Sequence, residues 1–264
     1  MAEGFSNMDK LANTYNLAYK FLEDLIGAEG LEKELTFYHN NKPNNLNDVY
    51  KRMQVSLQNK QGYMNFIAPV DEMKDILFNF DCHQVIKKFG DDYEKLFFEF
   101  KDSFPNKKFD INNKRNAWVM YSRGTLSCAK FLSTFKNYEE FDTFVHSFDL
   151  NEYTIAALPM LLEKEIFGYG FPIACDFLKE IGYMNYGKPD VHLKDIFVGL
   201  GLVDNDSDYE VFKTIVKMAK AVGKEPVIVD KLFWMIGSGK IEISKKQIGR
   251  QKHNFVEFAS KQLH

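Results

Sequence analysis

The stretch from Leu161 to Gly201, LLEKEIFGYGFPIACDFLKEIGYMNYGKPDVHLKDIFVGLG, gathers the residues whose types and spacing could do chemistry. Its first feature is Gly168-Tyr169-Gly170, between two segments of helical periodicity. Two glycines one residue apart let the chain turn tightly. They also leave amide N–H groups pointing outward at the start of the next helix, where a phosphate oxygen can be held without a charged side chain. Such a contact grips a nucleic-acid backbone and reads no sequence. A helix–helix turn that binds nothing is the alternative. Twenty residues beyond Gly170 stands Asp190, within Lys188-Pro189-Asp190-Val191-His192 and directly before another amphipathic segment. Aspartate caps helices, and a helix N-terminus keeps a carboxylate ionised and in place, so a cap and a chemical group are compatible roles. A carboxylate fixed in this way can stabilise positive charge in a transition state, or orient and deprotonate a water. His192 could contact phosphate or hydrogen-bond near the hairpin, or serve only the structure.

Other chemistries find less support. The six histidines (His39, His83, His146, His192, His253 and His264) show no metal-ligand spacing with one another. The cysteines, Cys82, Cys128 and Cys175, are too widely spaced for a CxxC-type zinc or iron–sulfur site and too few and odd in number for a disulfide framework. A length of 264 residues with 45% hydrophobic and 15% aromatic content supplies a sizeable core and excludes disorder for most of the chain. No run approaches the ~18 apolar residues of a membrane span. The opening MAEGFSNMDK has neither the basic nor the apolar region of a secretory signal, which places the expected protein inside a cell, in the cytoplasm or nucleus.

The net charge of −3 is unevenly spread. Eight basic residues face two acidic ones between Lys101 and Lys136, and seven face two from Lys231 to His264. A polyanion responds to local potential rather than to the total, so these segments are candidate nucleic-acid faces; as solvated helix faces they would look the same. Lys245, Lys246, Arg250 and Lys252 in the tail are the candidates for gripping duplex flanks.

Periodicity predicts the elements that must position these groups. Helical spacing recurs, proline is scarce and strand-like alternation is nearly absent, which predicts an all-α protein. Residues 8–27 place Leu11, Tyr15, Ala18, Leu22 and Leu25 on one stripe. A polar turn leads to a helix starting near Asp48. Segments follow at 69–79, 82–89, 91–101, 113–134 (capped by Asn113), 137–148, 151–166, 172–181 and 190–199. Another runs from Ser207 to a stop at Gly223, and a last one from Pro226 is stopped by Gly237.

The hairpin-to-aspartate arrangement resembles the helix-hairpin-helix DNA glycosylase superfamily, in which a Leu-Pro-Gly-Val-Gly hairpin is followed, at a closely similar interval, by an Asp-x-His or similar segment carrying the catalytic aspartate. Val55-Ser56-Leu57-Gln58-Asn59 is similar to the family's Leu-Ser-x-Gln-Thr segment, whose glutamine side probes the gap left by a flipped nucleotide. Val229-Asp230-Lys231-Leu232-Phe233-Trp234 is similar to its Asp-x-x-Leu-Trp helix. The resemblance touches residues from about 48 to 237 and is specific over 161–201. It implies two helical lobes with a DNA-binding cleft and the helix-hairpin-helix at about 161–182. A helical barrel would span 45–184, and residues 1–44 with 185–264 would form the second lobe.

The resemblance also assigns roles. Asp190 becomes the catalytic residue. Gly168, Tyr169, Gly170, Phe171 and His192 become contacts to the DNA backbone, and Gln58, Asn59 and Tyr63 line the gap or the base pocket. Tyr63, Tyr169 and Phe171 are the candidate stacking rings. The departures are Ile166-Phe167 in place of Leu-Pro, and a longer interval between Gln58 and the hairpin. In addition, Pro172 stands where bifunctional members carry the lysine that forms a Schiff base. No cysteine follows Cys175, so the C-terminal iron–sulfur cluster is missing. The implied protein is a monofunctional glycosylase, monomeric, acting on double-stranded DNA that carries a modified base. It needs no cofactor beyond a monovalent cation of the kind that hairpin carbonyls in the family can hold. The alternative is a DNA-binding protein that uses the hairpin without chemistry.

Overall fold

In a computed structural model that describes residues 7–36, 41–59 and 63–263, the architecture is all-helical. Thirteen α-helices occur among the described residues, with no strand beyond an isolated antiparallel bridge between Lys240 and Gln247. Of the histidines considered above, His39 and His264 lie outside the described residues. No helix is long and apolar enough to cross a membrane among the residues described. The chain divides into two compact units. One comprises Met1–Asn41, Leu150–Ala156 and Gly182–His264, the other Lys42–Asp149 and Ala157–Ile181.

The first unit holds α1 (Asn7–Ile26), α2 (Ala28–Leu35), α10 (Val191–Gly199), α11 (Asp208–Val222), α12 (Pro226–Ser238) and α13 (Lys252–Leu263). Its core joins Leu11, Tyr15, Ala18 and Leu22 of α1 to Ile215, Met218, Phe233 and Ile236. Leu25, the last member of the predicted α1 stripe, is exposed. It falls in the final turn, and the chain turns at Gly27 (φ +81°) into α2. Helix α12 is buried on nearly every side, as a helix so uniformly apolar must be. It passes through Gly237 and ends at Gly239, whose left-handed backbone (φ +72°) closes it. The predicted stop at Gly237 is therefore one glycine early. Gly237 serves packing instead: a Cβ placed there would lie 2.3 Å from the Cβ of His192.

The second unit holds α3 (Leu46–Gln58), α4 (Cys82–Phe89), α5 (Tyr93–Ser103), α6 (Ala117–Leu132), α7 (Tyr138–His146), the greater part of α8 (Glu152–Glu165), and α9 (Phe171–Glu180). Trp118 anchors its core, stacked on Phe109 at 4.6 Å and on Phe104 at 5.5 Å between centroids. All three cysteines are buried, and none is in a disulfide. Two expectations fail here. Asn113 does not cap α6: it closes a local turn onto the Arg115 N–H, and Asn116 supplies the cap. Residues 69–79 form no α-helix. Val70, Met73, Leu77 and Phe80 are buried at helical spacing, yet short 3₁₀ turns place them, and Phe78, Asn79 and Phe80 adopt left-handed backbone before Asp81 caps α4. The apolar period is satisfied by successive turns, which periodicity cannot distinguish from a helix.

Candidate functional site

Helix α8 ends at Glu165, and Ile166 is fully buried as the chain leaves it. Gly168 then takes φ +92°, a conformation costly for any residue with a Cβ, and Gly170 is the extended N-cap of α9. Gly168 is therefore required by backbone geometry, whereas a side chain at the extended Gly170 would meet only ordinary van der Waals contact, with Pro172 at 3.9 Å. Pro172 lies in the first turn of α9, where its missing N–H costs nothing. Among the described residues, no acceptor pairs with the amides of Gly168 or Gly170. Both N–H groups are available to an anion, and α9 adds the positive end of its dipole.

The hairpin is held from below. The Phe167 N–H donates to Ser127 Oγ at 2.8 Å. A Cβ on Gly124 of α6 would come within 3.0 Å of the Phe167 carbonyl oxygen and 2.9 Å of Leu57 Cδ2, so a glycine is what lets hairpin, α3 and α6 meet. The Arg123 guanidinium stacks on the Phe167 ring at 3.8 Å, beside a cavity of about 370 Å³ also lined by Tyr93, Ser127, Lys130 and Glu165.

Tyr169 and Phe171 do not offer rings to a base. Both are buried; the Tyr169 hydroxyl donates to the Met53 carbonyl at 3.2 Å, and its ring meets Phe177 edge-on. An apolar hairpin needs anchors in its own core, and these two rings are the anchors. Their backbone positions stay at the hairpin. Tyr63 is half-buried at the start of a short turn, and burial raises its phenol above the ordinary range. Gln58 donates to the Ala68 carbonyl at 2.8 Å. Asn59 donates to Asp176 Oδ2 at 2.9 Å, and Arg52 approaches the same oxygen at 3.5 Å, which ties α3 to α9.

Asp190 lies in the first unit as the N-cap of α10. Its Oδ1 accepts from the His192 N–H at 2.8 Å and the Leu193 N–H at 3.2 Å, while Oδ2 takes no hydrogen bond from the described residues. Burial raises the Asp190 carboxyl above the usual carboxylate range and the charge of Asp230 adds to it, against the pull of the two N–H groups and of His192. Asp230, on α12, is 1% exposed and accepts from the Lys188 N–H at 2.8 Å. The segment before Asp190 is pinned at two further points. The Val227 N–H donates to the Met184 carbonyl at 3.1 Å, and at Gly187 a Cβ would meet the Pro226 carbonyl at 2.7 Å and Ile215 at 2.8 Å. His192 packs against Gly237, and its Nδ1 is buried with no partner among the described residues. Among the described residues, no group of three His, Cys, Asp or Glu side chains is placed to hold a metal ion.

No family model and no curated protein matches the chain. A search of solved structures finds a likeness to a Methanocaldococcus jannaschii 8-oxoguanine glycosylase/lyase, determined in complex with a 15mer DNA containing 8-oxoguanine. The match covers 85% of this chain and 97% of that one, with a TM-score of 0.52 and 16% identity. The chain shares that helical fold.

Two groups, one in each unit, escaped the sequence reading. Asp230 lay within the Asp-x-x-Leu-Trp resemblance, a signal that could have marked it; Arg123 carried no signal beyond its charge. The basic tail is also resolved into parts. Lys231 is buried, engaged by Glu242 and 3.8 Å from Glu34. Lys252 pairs with Asp195, so it is not a free cation. Lys245, Lys246 and Arg250 are exposed and form no ion pair among the described residues. They ride on an irregular segment, not a helix. Three consecutive N–H groups of that segment, from Glu242, Ile243 and Ser244, donate to the buried Glu34 carboxylate. Its return is fixed by the Ile248 N–H, which donates to the Gly239 carbonyl at 2.8 Å.

Proposed function

We propose that this protein is a monofunctional DNA glycosylase that excises a damaged or modified base from double-stranded DNA by hydrolysing the N-glycosidic bond, without a cofactor and as a monomer. The observation that carries the reading is the carboxylate of Asp190, with one oxygen committed to the helix cap and the other unengaged among the described residues. The shared fold with an 8-oxoguanine glycosylase/lyase supports it, as do the two hairpin amides that have no acceptor among the described residues.

A target base must first leave the stack to be reached. The hairpin amides of Gly168 and Gly170 would hold a backbone phosphate during that step, and Lys245, Lys246 and Arg250 would supply the salt-sensitive part of binding. As the bond between base and sugar breaks, its electron pair leaves with the base and positive charge builds on the sugar. Asp190 stabilises that charge more in the transition state than in the ground state. A water then bonds to the sugar carbon, and Asp190 Oδ2 is the acceptor for its proton. Pro172 has no amine with which to form a Schiff base, so hydrolysis is the route.

Duplex oligonucleotides carrying 8-oxoguanine, uracil, alkylated purines or bulky phage-type pyrimidines test this reading. The wild-type chain should release base from at least one of them, and Asp190→Asn should abolish release while duplex binding persists. Undiminished release by Asp190→Asn sinks the assignment of Asp190. Binding without release across the whole panel leaves a non-catalytic DNA-binding protein. Borohydride should trap no covalent adduct; efficient trapping would point to another lysine, with Lys188 the first to test.

A further inference from the structure

We infer that Asp230 is the positioning residue for Asp190: its buried carboxylate holds the segment that carries Asp190 and sets a second negative charge beside it. This rests on the glycosylase reading only for its catalytic consequence. The geometry stands on its own. Asp230 Oδ2 accepts from the Lys188 N–H, and the Asp190 N–H in turn donates to the Lys188 carbonyl at 2.9 Å. One residue earlier, a Cβ on Gly187 would lie 3.2 Å from the Asp230 Cβ, so the backbone of the segment runs directly over the Asp230 side chain. Every step from Asp230 to the α10 cap is thus a close contact.

A hydrogen bond to one amide does not require a carboxylate, because an asparagine oxygen would accept it equally well. Burying a carboxylate costs several kcal/mol more than burying an amide, and two neighbouring carboxylates repel. Position 230 nevertheless carries the acid, at 1% exposure. Among the described residues, the charged groups that act on Asp190 are Asp230 on α12 and His192 on α10. A second negative charge at this place favours a cationic sugar and makes Asp190 a stronger proton acceptor, which are the two things hydrolysis asks of it.

The test separates the charge from the hydrogen bond. In Asp230→Asn the Lys188 contact can persist while the charge is gone. Carboxyl-carbon NMR of the full chain should then show Asp190 titrating at lower pH than in the wild type. On whichever duplex of the panel the wild type cleaves, base release at neutral pH should fall at least about tenfold, with the acid limb of its pH profile moved the same way. Asp230→Ala, which also loses the hydrogen bond, should be slower still. An unmoved Asp190 titration in folded Asp230→Asn overturns the proposal. Should Asp230→Asn fail to fold, Asp230→Ser, which keeps an acceptor oxygen without the charge, decides by the same measurement: an unmoved Asp190 titration in folded Asp230→Ser overturns it. If the wild type cleaves nothing, the glycosylase reading fails, and the Asp190 titration still decides what Asp230 does.

Discussion

At Asp190 the requirements of stability and of chemistry oppose each other. The Oδ1 hydrogen bonds close α10, a role that asparagine fills about as well. Burial and Asp230 raise the carboxyl's pKa, so ionisation is worth less in the folded chain than in the unfolded one. The sign follows: the wild type loses stability as pH rises from the ordinary carboxylate range through the raised folded value. An asparagine bears no such cost. Asp190→Asn should therefore melt higher than the wild type at neutral pH, with the difference closing in acid, while Asp190→Ala forfeits the cap, about 1 kcal/mol. Thermal melts of the three proteins from pH 3 to 8 check this. A neutral-pH melting point for Asp190→Asn below that of the wild type would contradict the burial and the effect of the Asp230 charge together.

The elements meet through absent side chains. Gly124 lets α3, α6 and the hairpin approach, and Gly237 does the same for α10 and α12. Alanine at either position gains up to about 1 kcal/mol of helix propensity but must displace a backbone carbonyl in one case and the base of His192 in the other. Overpacking of this kind costs about 1–3 kcal/mol, so Gly124→Ala and Gly237→Ala should each be net destabilising in urea titrations. Gly168→Ala acts through the backbone. At φ +92° it should cost about 1–3 kcal/mol and also weaken duplex binding, because the hairpin amides move with it. Little of this was legible in sequence. Periodicity located α4, α8, α9 and α10 within a residue or so, because their apolar stripes have caps and glycines at their ends. It failed at 69–79, where left-handed turns bury the same apolar spacing, and at Asn113, where two asparagines three apart both suit a cap.

For the molecule as a whole, a net charge of −3 does not say which cations of the basic tail are free to meet a polyanion. Lys231 is buried, and Lys252, Lys130 and Lys261 are paired. Lys245, Lys246 and Arg250 stand exposed on a segment fastened by Glu34. Each phosphate neutralised adds about 0.9 to the slope of log affinity against log salt. Replacing all three by glutamine should lower that slope by up to about 2.7 in duplex-binding titrations, and an unchanged slope would remove this segment from the DNA face. Lys252→Gln should change it little. Glu34→Gln, which weakens the buried anchor, should loosen the segment and lower affinity without altering the protein's exposed charge.

Sequence alone determined the all-helical class, the glycine hairpin and the aspartate that caps the helix after it, because each is written in local spacing: apolar period, turn glycines, capping residue. Tertiary structure decided the rest. It turned the rings of Tyr169 and Phe171 inward, since a hairpin of apolar residues must anchor itself in its own core. It placed Asp230 under the segment leading to Asp190, a contact between residues far apart in the chain that no local pattern encodes. It also sorted the basic residues into buried, paired and free, because an ion pair depends on which acid the fold brings near, and composition holds no record of that.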